Sequence, residues 1–124
     1  MKRIALIAHD NMKQKLIDWC RENREILACN FLCGTGTTAT RIHEEVDLPV
    51  YAYKSGPLGG DMQIGGAVSE GKVDIVIFFS DPLTAQPHDP DIKALLRVCQ
   101  VYDVPIANNV STANYIITSE LFNK

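Results

Sequence analysis

Short aliphatic runs punctuate the chain, and between them apolar positions recur every three or four residues. The runs are Ile4 to Ala8, Phe31 to Cys33, Val50 to Tyr53, Ile75 to Phe79 and Pro105 to Ala107. Ile75-Val76-Ile77-Phe78-Phe79 lacks any polar alternation, which predicts a central strand buried on both faces. Met12, Leu16, Trp19 and Cys20 share one helical face, as do Ile92, Leu95, Leu96 and Cys99 in the segment that starts at Pro90, with Asp89 as its natural cap. Strands alternating with helices in this way are the signature of βαβ units. The predicted fold is α/β: a three-layer αβα arrangement around a five-stranded parallel sheet, Rossmann-like. Two stretches are less plain. Ile26, Leu27 and Ala28 suit either a short strand or the end of a helix, so the region from Glu25 to Asn30 is left open. Gly65 and Gly66 interrupt the helical pattern of Ile64, Ala67 and Val68 at about 1 kcal/mol each relative to Ala, which predicts a second backbone packed closely against them.

Composition narrows the picture. With 124 residues, 46% of them hydrophobic, the chain fills one ordinary core, and no repeat, low-complexity tract or linker divides it, so residues 1–124 are expected to form a single domain. The net charge of −3 and the lack of any Lys/Arg run exclude a nucleic-acid surface, which needs a dense basic patch. No apolar stretch approaches the roughly 20 residues that span a bilayer, and Asp10, Asn11 and Lys13 cut the opening run too short for a signal peptide. A cytoplasmic protein without membrane contact is the expectation. The four cysteines, Cys20, Cys29, Cys33 and Cys99, have no CxxC spacing and read as reduced small hydrophobes.

A polar cluster follows each predicted strand: His9-Asp10, residues 34–38, residues 55–61, residues 81–91, and Asn108-Asn109. Open parallel sheets bind ligands outside the carboxyl ends of their strands, so these clusters are expected to converge on one crevice, suited to a small phosphorylated metabolite.

Within the clusters several residues can carry chemistry. Gly34-Thr35-Gly36-Thr37-Thr38 lies between a strand and a helix, where glycine lets a ligand approach the backbone and helix-end N–H groups attract an anion. Plain helix capping by Thr is the commoner use of such a turn. Lys13 stands one turn into the first helix, whose side chains lean toward its start, so its ammonium can reach back over His9; the alternative is a solvated lysine. The segment Ser55-Gly56-Pro57-Leu58-Gly59-Gly60-Asp61 is too elaborate for a minimal turn, and Asp61 is either a helix cap or a general base. His88, set between carboxylates in Pro87-His88-Asp89-Pro90-Asp91, can donate to a developing oxyanion or be an ordinary loop residue. His43, beside Glu44 and Glu45, reads as surface. A metal site built from His9, Asp10, His88 and Asp91 is the competing use, and no ligand spacing supports it.

Taken together, His9-Asp10-Asn11-Met12-Lys13, Thr35-Gly36-Thr37-Thr38, residues 55–61, Phe78-Phe79-Ser80-Asp81-Pro82-Leu83 and residues 87–91 resemble the methylglyoxal synthase family across nearly the whole chain. The resemblance implies a carbon–oxygen lyase that converts dihydroxyacetone phosphate to methylglyoxal and inorganic phosphate, a bypass of glycolysis, without metal or organic cofactor. It implies a homohexamer, and phosphate acting as an inhibitor as well as a product. By motif, Asp61 is the family's catalytic base. His9, Lys13, Thr35, Gly36, Thr37, Thr38, Ser55, Gly56 and His88 contact the ligand, His88 also taking part in catalysis, and Asp10, Asp81 and Asp91 are supporting acids. Some family members continue well past the last helix, whereas this sequence stops at Lys124. The same fold also resembles the regulatory domain of carbamoyl phosphate synthetase, which makes a ligand-sensing module the alternative; Asp61 and His88 discriminate, since a sensor has no use for a base.

Overall fold

The aliphatic runs become β1 (Arg3–Ala8), β2 (Phe31–Gly34), β3 (Tyr51–Ala52), β4 (Ile75–Phe79) and β5 (Ile106–Ala107) in the computed structural model. The structure describes residues 1–83 and 89–123, with the backbone alone for residues 89–92. The helices are α1 (Lys13–Glu22), α2 (Arg24–Ala28), α3 (Gly36–Val46), α4 (Gly60–Ser69), α5 (Asp89–Val101) and α6 (Val110–Thr118). Short 3-10 turns precede α1 at Asp10–Met12 and α4 at Gly56–Leu58, and another follows α6 at Glu120–Asn123.

The strands form one all-parallel sheet in the order β3-β2-β1-β4-β5. β1 is the central strand, and its longest ladder is with β4, pairing Ile4 with Ile75 through Ala8 with Phe79. Alternate residues of each strand serve opposite faces. Ile4, Leu6, Ile75, Ile77 and Phe79 pack with Leu16, Trp19, Ile42 and Ile117 from α1, α3 and α6. Ala5, Ile7, Val76 and Phe78 pack with Ile64, Val68, Leu95 and Cys99 from α4 and α5. Both faces are therefore apolar, which is why Ile75–Phe79 shows no alternation. Each fully buried aliphatic side chain contributes about 1.5–3 kcal/mol, so this ladder is the main anchor of the fold.

The undecided stretch resolves as a helix. In α2 only Leu27 is buried, and that single anchor gives too little pattern to distinguish helix from strand. The helix also seals its neighbour: Arg24 Nε donates to the Val46 carbonyl and Nη2 to the Asp47 carbonyl, both at 2.9 Å, at the carboxyl end of α3. The predicted strand at Val50 to Tyr53 shortens to Tyr51–Ala52, and the last strand starts after Pro105, which has no N–H to offer but accepts from the Val76 amide at 3.0 Å.

The expectation for Gly65 and Gly66 is overturned. A Cβ on Gly65 would meet only Leu95 Cδ1 at 3.8 Å, and one on Gly66 would meet nothing within 4 Å. Among the described residues no backbone atom lies within 4 Å of either Cβ position, although α5 packs against α4 beside these glycines. The four cysteines carry free thiols; burial pushes Cys20 up to about 12 and Cys33 and Cys99 up to about 11, while Cys29 is exposed. Among the described residues no helix is long and apolar enough to cross a membrane.

Candidate active site

The central ladder sets the floor of a crevice at the carboxyl edge of the sheet. His9 extends β1 by one residue, its amide donating to the Phe79 carbonyl at 3.2 Å. Its ring is buried, meets the Phe78 ring edge-on at 5.3 Å, and accepts at Nδ1 from the Asp81 amide at 2.9 Å. A ring nitrogen that accepts an N–H carries no proton, so the neutral imidazole bears its hydrogen on Nε2.

The 3-10 turn after His9 delivers Lys13 at the start of α1. Its ammonium reaches back to Asp10 Oδ1 at 2.6 Å and to the Ala8 carbonyl at 3.3 Å, and the side chain is only 12% exposed. The solvated-lysine alternative fails, because the backward lean of helical side chains carries the charge over the sheet edge.

Gly34 ends β2 where a Cβ would stand 2.7 Å from the Leu6 carbonyl oxygen. Thr35 occupies the cap position of α3 in extended geometry, yet its side chain makes no capping hydrogen bond. Its hydroxyl pairs instead with that of Thr38 at 3.3 Å, both residues being buried. Plain capping is thus not the use of this turn. The Gly36 amide is not among the N–H groups left for an anion either, since it donates to the Lys54 carbonyl at 3.2 Å.

The Ser55 carbonyl accepts from both Leu58 and Gly60 amides at 3.0 Å, folding residues 55–60 into a knot. Gly59 sits at φ +99°, a left-handed geometry that favours glycine, and any Cβ on Gly60 would collide with the Lys54 carbonyl. These demands explain the run of glycines ahead of Asp61. The knot places Asp61 in the first turn of α4, after the cap residue Gly59, so Asp61 is not the cap. It is 4% exposed. Oδ1 accepts from the Met62 amide at 3.1 Å, while the buried Oδ2 has no hydrogen-bond partner among the described residues. An unpaired buried carboxyl oxygen costs about 1–3 kcal/mol, a penalty that a folding-only role does not explain.

His9, Asp10, Lys13, Thr35, Thr37, Ser55, Gly56 and Asp61 line a crevice of about 240 Å³, with Ile7, Ala8, Pro57 and Phe78 as its apolar wall. Of the expected site residues, Gly36 and Thr38 support this lining without belonging to it. Asp81 stands beside it, where its carboxylate accepts from Asn11 Nδ2 at 2.9 Å and from the Leu83 amide at 3.0 Å. His88 and the side chain of Asp91 lie outside the described residues, as does the expected Asp89 cap. His43 is exposed, as expected, with Nδ1 3.3 Å from the Leu48 carbonyl. Asn109, by contrast, spends its side chain on capping α6 through the Thr112 amide at 2.9 Å. Sequence reasoning assigned no role to Asn11 or to the Lys54 carbonyl; the first belonged to a motif without a task, and the second is backbone, which sequence does not advertise. A roomier groove of about 700 Å³ under α6 mixes apolar residues such as Ile75, Ile116 and Phe122 with Lys2, Asp74, Thr112 and Ser119, and lies at the other edge of the sheet, away from the crevice.

The model of the MGS-like domain family matches residues 15–108. The methylglyoxal synthase of Leptospira interrogans (serovar copenhageni) is 61% identical over 124 residues, which cover all of this chain and 84% of that protein. The methylglyoxal synthase of Clostridium acetobutylicum is 59% identical over 120 residues, covering 97% and 83%. The crystal structure of methylglyoxal synthase from Elizabethkingia anophelis NUHP1 superposes with a TM-score of 0.92 at 44% identity, covering 97% of this chain and 79% of that one.

Proposed function

Because the chain belongs to the methylglyoxal synthase family and is a lyase that forms methylglyoxal, we propose that its crevice expels phosphate from dihydroxyacetone phosphate with Asp61 as the base. The observation that carries this assignment is the buried Asp61 carboxyl, with Oδ2 unpartnered, on the crevice wall. Oδ2 takes a proton from the hydroxymethyl carbon of the substrate, and the C–H electron pair moves through the carbon framework onto the ketone oxygen as an enediolate. The hydroxyl on the deprotonated carbon then loses its proton as that carbon becomes the aldehyde, the C=C pair shifts to the other side of the former ketone carbon, and the C–O bond there breaks, phosphate departing with the bonding pair. The remaining enolate takes up a proton on its terminal CH2 carbon and becomes methylglyoxal, and the departing phosphate takes up the other, so the two protons lost by the substrate are both returned. Every step is redox-neutral, so none requires an electron-carrying cofactor.

Lys13 and the hydroxyls of Thr35, Thr37 and Ser55 hold the phosphate, with Gly56 opening room beside it. Pinning it keeps the scissile C–O bond across the enediolate plane, where orbital overlap permits elimination. His9, an Nε2–H donor, and His88 serve the ketone oxygen. One well-placed oxyanion donor contributes about 10²- to 10³-fold and a general base about 10²- to 10⁴-fold, so the rate needs both. Thr38 and Gly36 brace the phosphate turn, and Asp10, Asp81 and Asp91 support the polar wall. The 124 residues act as one unit, a reading supported by a single sheet that draws strands from Arg3 to Ala107. We assign the assembly as a homohexamer, to be checked by sedimentation equilibrium, and inorganic phosphate as a competitor of substrate.

The test is to incubate the purified chain with dihydroxyacetone phosphate and follow methylglyoxal and phosphate in equal amounts, with and without added inorganic phosphate. Stoichiometric release, slowed by phosphate in competition with substrate, is expected. Phosphate binding without turnover would instead place the chain with the sensing modules of this fold.

A further inference from the structure

His9 depends on a neighbour for its orientation, and that neighbour is itself held. The Asp81 amide donates to His9 Nδ1 at 2.9 Å. The Asp81 carboxylate divides its two oxygens: Oδ1 accepts from the Leu83 amide at 3.0 Å, turning the loop after β4 back on itself, and Oδ2 accepts from Asn11 Nδ2 at 2.9 Å. Asn11 lies in the 3-10 turn directly after His9. The links close on themselves: the chain joins His9 to Asn11, the Asn11 amide joins the loop after β1 to the loop after β4, and the Asp81 N–H returns to the imidazole. A ring protonated at Nδ1 would set N–H against N–H there, so the orientation of the Asp81 amide selects the tautomer.

We propose that Asn11 is a positioning residue: through Asp81 it holds His9 in the Nε2–H tautomer, as a hydrogen-bond donor to the ligand in the crevice. The kinetic part of this proposal rests on the lyase reading above. Asparagine suits the task because it offers a neutral N–H donor of fixed reach to a carboxylate. Aspartate, its isostere, would replace that donor with a second negative charge facing Asp81.

The experiment compares the full chain with Asn11→Ala, Asn11→Ser and Asn11→Asp, by nitrogen-15 spectra of the His9 ring and by steady-state turnover of dihydroxyacetone phosphate. In the parent, Nδ1 is unprotonated and Nε2 protonated. Asn11→Ala is expected to show a mixture of tautomers and a kcat lower by roughly two- to ten-fold with KM nearly unchanged, the size of one net hydrogen bond acting in the transition state. Asn11→Asp falls below Asn11→Ala, and Asn11→Ser, which keeps a donor, recovers part of the loss. An unaltered His9 spectrum in Asn11→Ala overturns the proposal even if kcat drops, because the effect then bypasses the ring; so does an Asn11→Asp variant as active as the parent. If the parent forms no methylglyoxal, the lyase reading fails, while the nitrogen spectra still decide whether Asn11 holds His9.

Discussion

Asp61 and Asp74 stand at opposite edges of one sheet and show two uses of the same carboxylate. Asp74, just before β4, accepts from the Arg3 amide at 2.8 Å and from the Arg3 guanidinium through Nε and Nη2, each at 3.1 Å. The guanidinium hydrogen bond, helped by the Arg3 amide and outweighing partial burial, holds its carboxyl below the usual range. Asp61, at the other edge, is more deeply buried yet has one oxygen without a partner among the described residues. The amino edge uses its acid to tie β1 to β4. The carboxyl edge leaves one acid oxygen in reserve, the oxygen proposed above as the base.

Removing the reserved oxygen's basicity breaks this contrast most severely. Asp61→Asn is expected to lower turnover by about 10²- to 10⁴-fold with the fold and phosphate binding kept, measured by methylglyoxal release and by calorimetric titration with phosphate. Unchanged turnover would remove Asp61 from the mechanism. Next comes the knot that presents it: Gly60→Ala, forced against the Lys54 carbonyl, should destabilise by about 3 kcal/mol in urea unfolding. Gly66→Ala, where a Cβ meets nothing within 4 Å, should stabilise by about 1 kcal/mol. Lys13→Met is expected to weaken phosphate binding by roughly ten-fold, the scale of one charge-assisted hydrogen bond, in the same titration.

The smallest effect belongs to Asp74. Because its carboxyl is depressed in the folded state, its stabilisation is complete above the ordinary carboxylate range, near pH 4, and fades as pH falls toward the folded value. Asp74→Asn should flatten the acid side of the stability curve, read from denaturation midpoints between pH 7 and pH 3. A slope equal to that of the parent would show that Arg3 and Asp74 are not coupled to folding.

The central sheet was readable from the sequence because both faces of β1 and β4 are covered, leaving uninterrupted aliphatic runs. The site was readable as a set of motifs, since each follows a strand end. What escaped was geometry carried by backbone or by few contacts. Leu27 alone anchors α2, so no periodicity announced it. Thr35 has a capping residue's identity and position without its hydrogen bond, because its hydroxyl is committed to Thr38. Gly65 and Gly66 suggested crowding by a second backbone, but no described backbone atom comes within 4 Å of a Cβ there, while Gly60, one glycine among several, has the real constraint from the Lys54 carbonyl. Asn11 became meaningful only when Asp81, 70 residues away, was seen to accept its hydrogen bond.

The pairing of β1 with β4 has a consequence for biogenesis. Arg3 and Asp74, at the start of that ladder, lie 71 residues apart. A ribosome therefore releases the first strand long before its inner neighbour exists, and Ile4–Ala8 must wait with one edge and much of two apolar faces uncovered. His9 receives its ring partner only after Asp81 has emerged. The nascent chain thus passes through a long interval in which β1 is open to misassociation, and the proposed site residues from His9 to Asp61 all precede β4, the strand with which β1 forms its longest ladder.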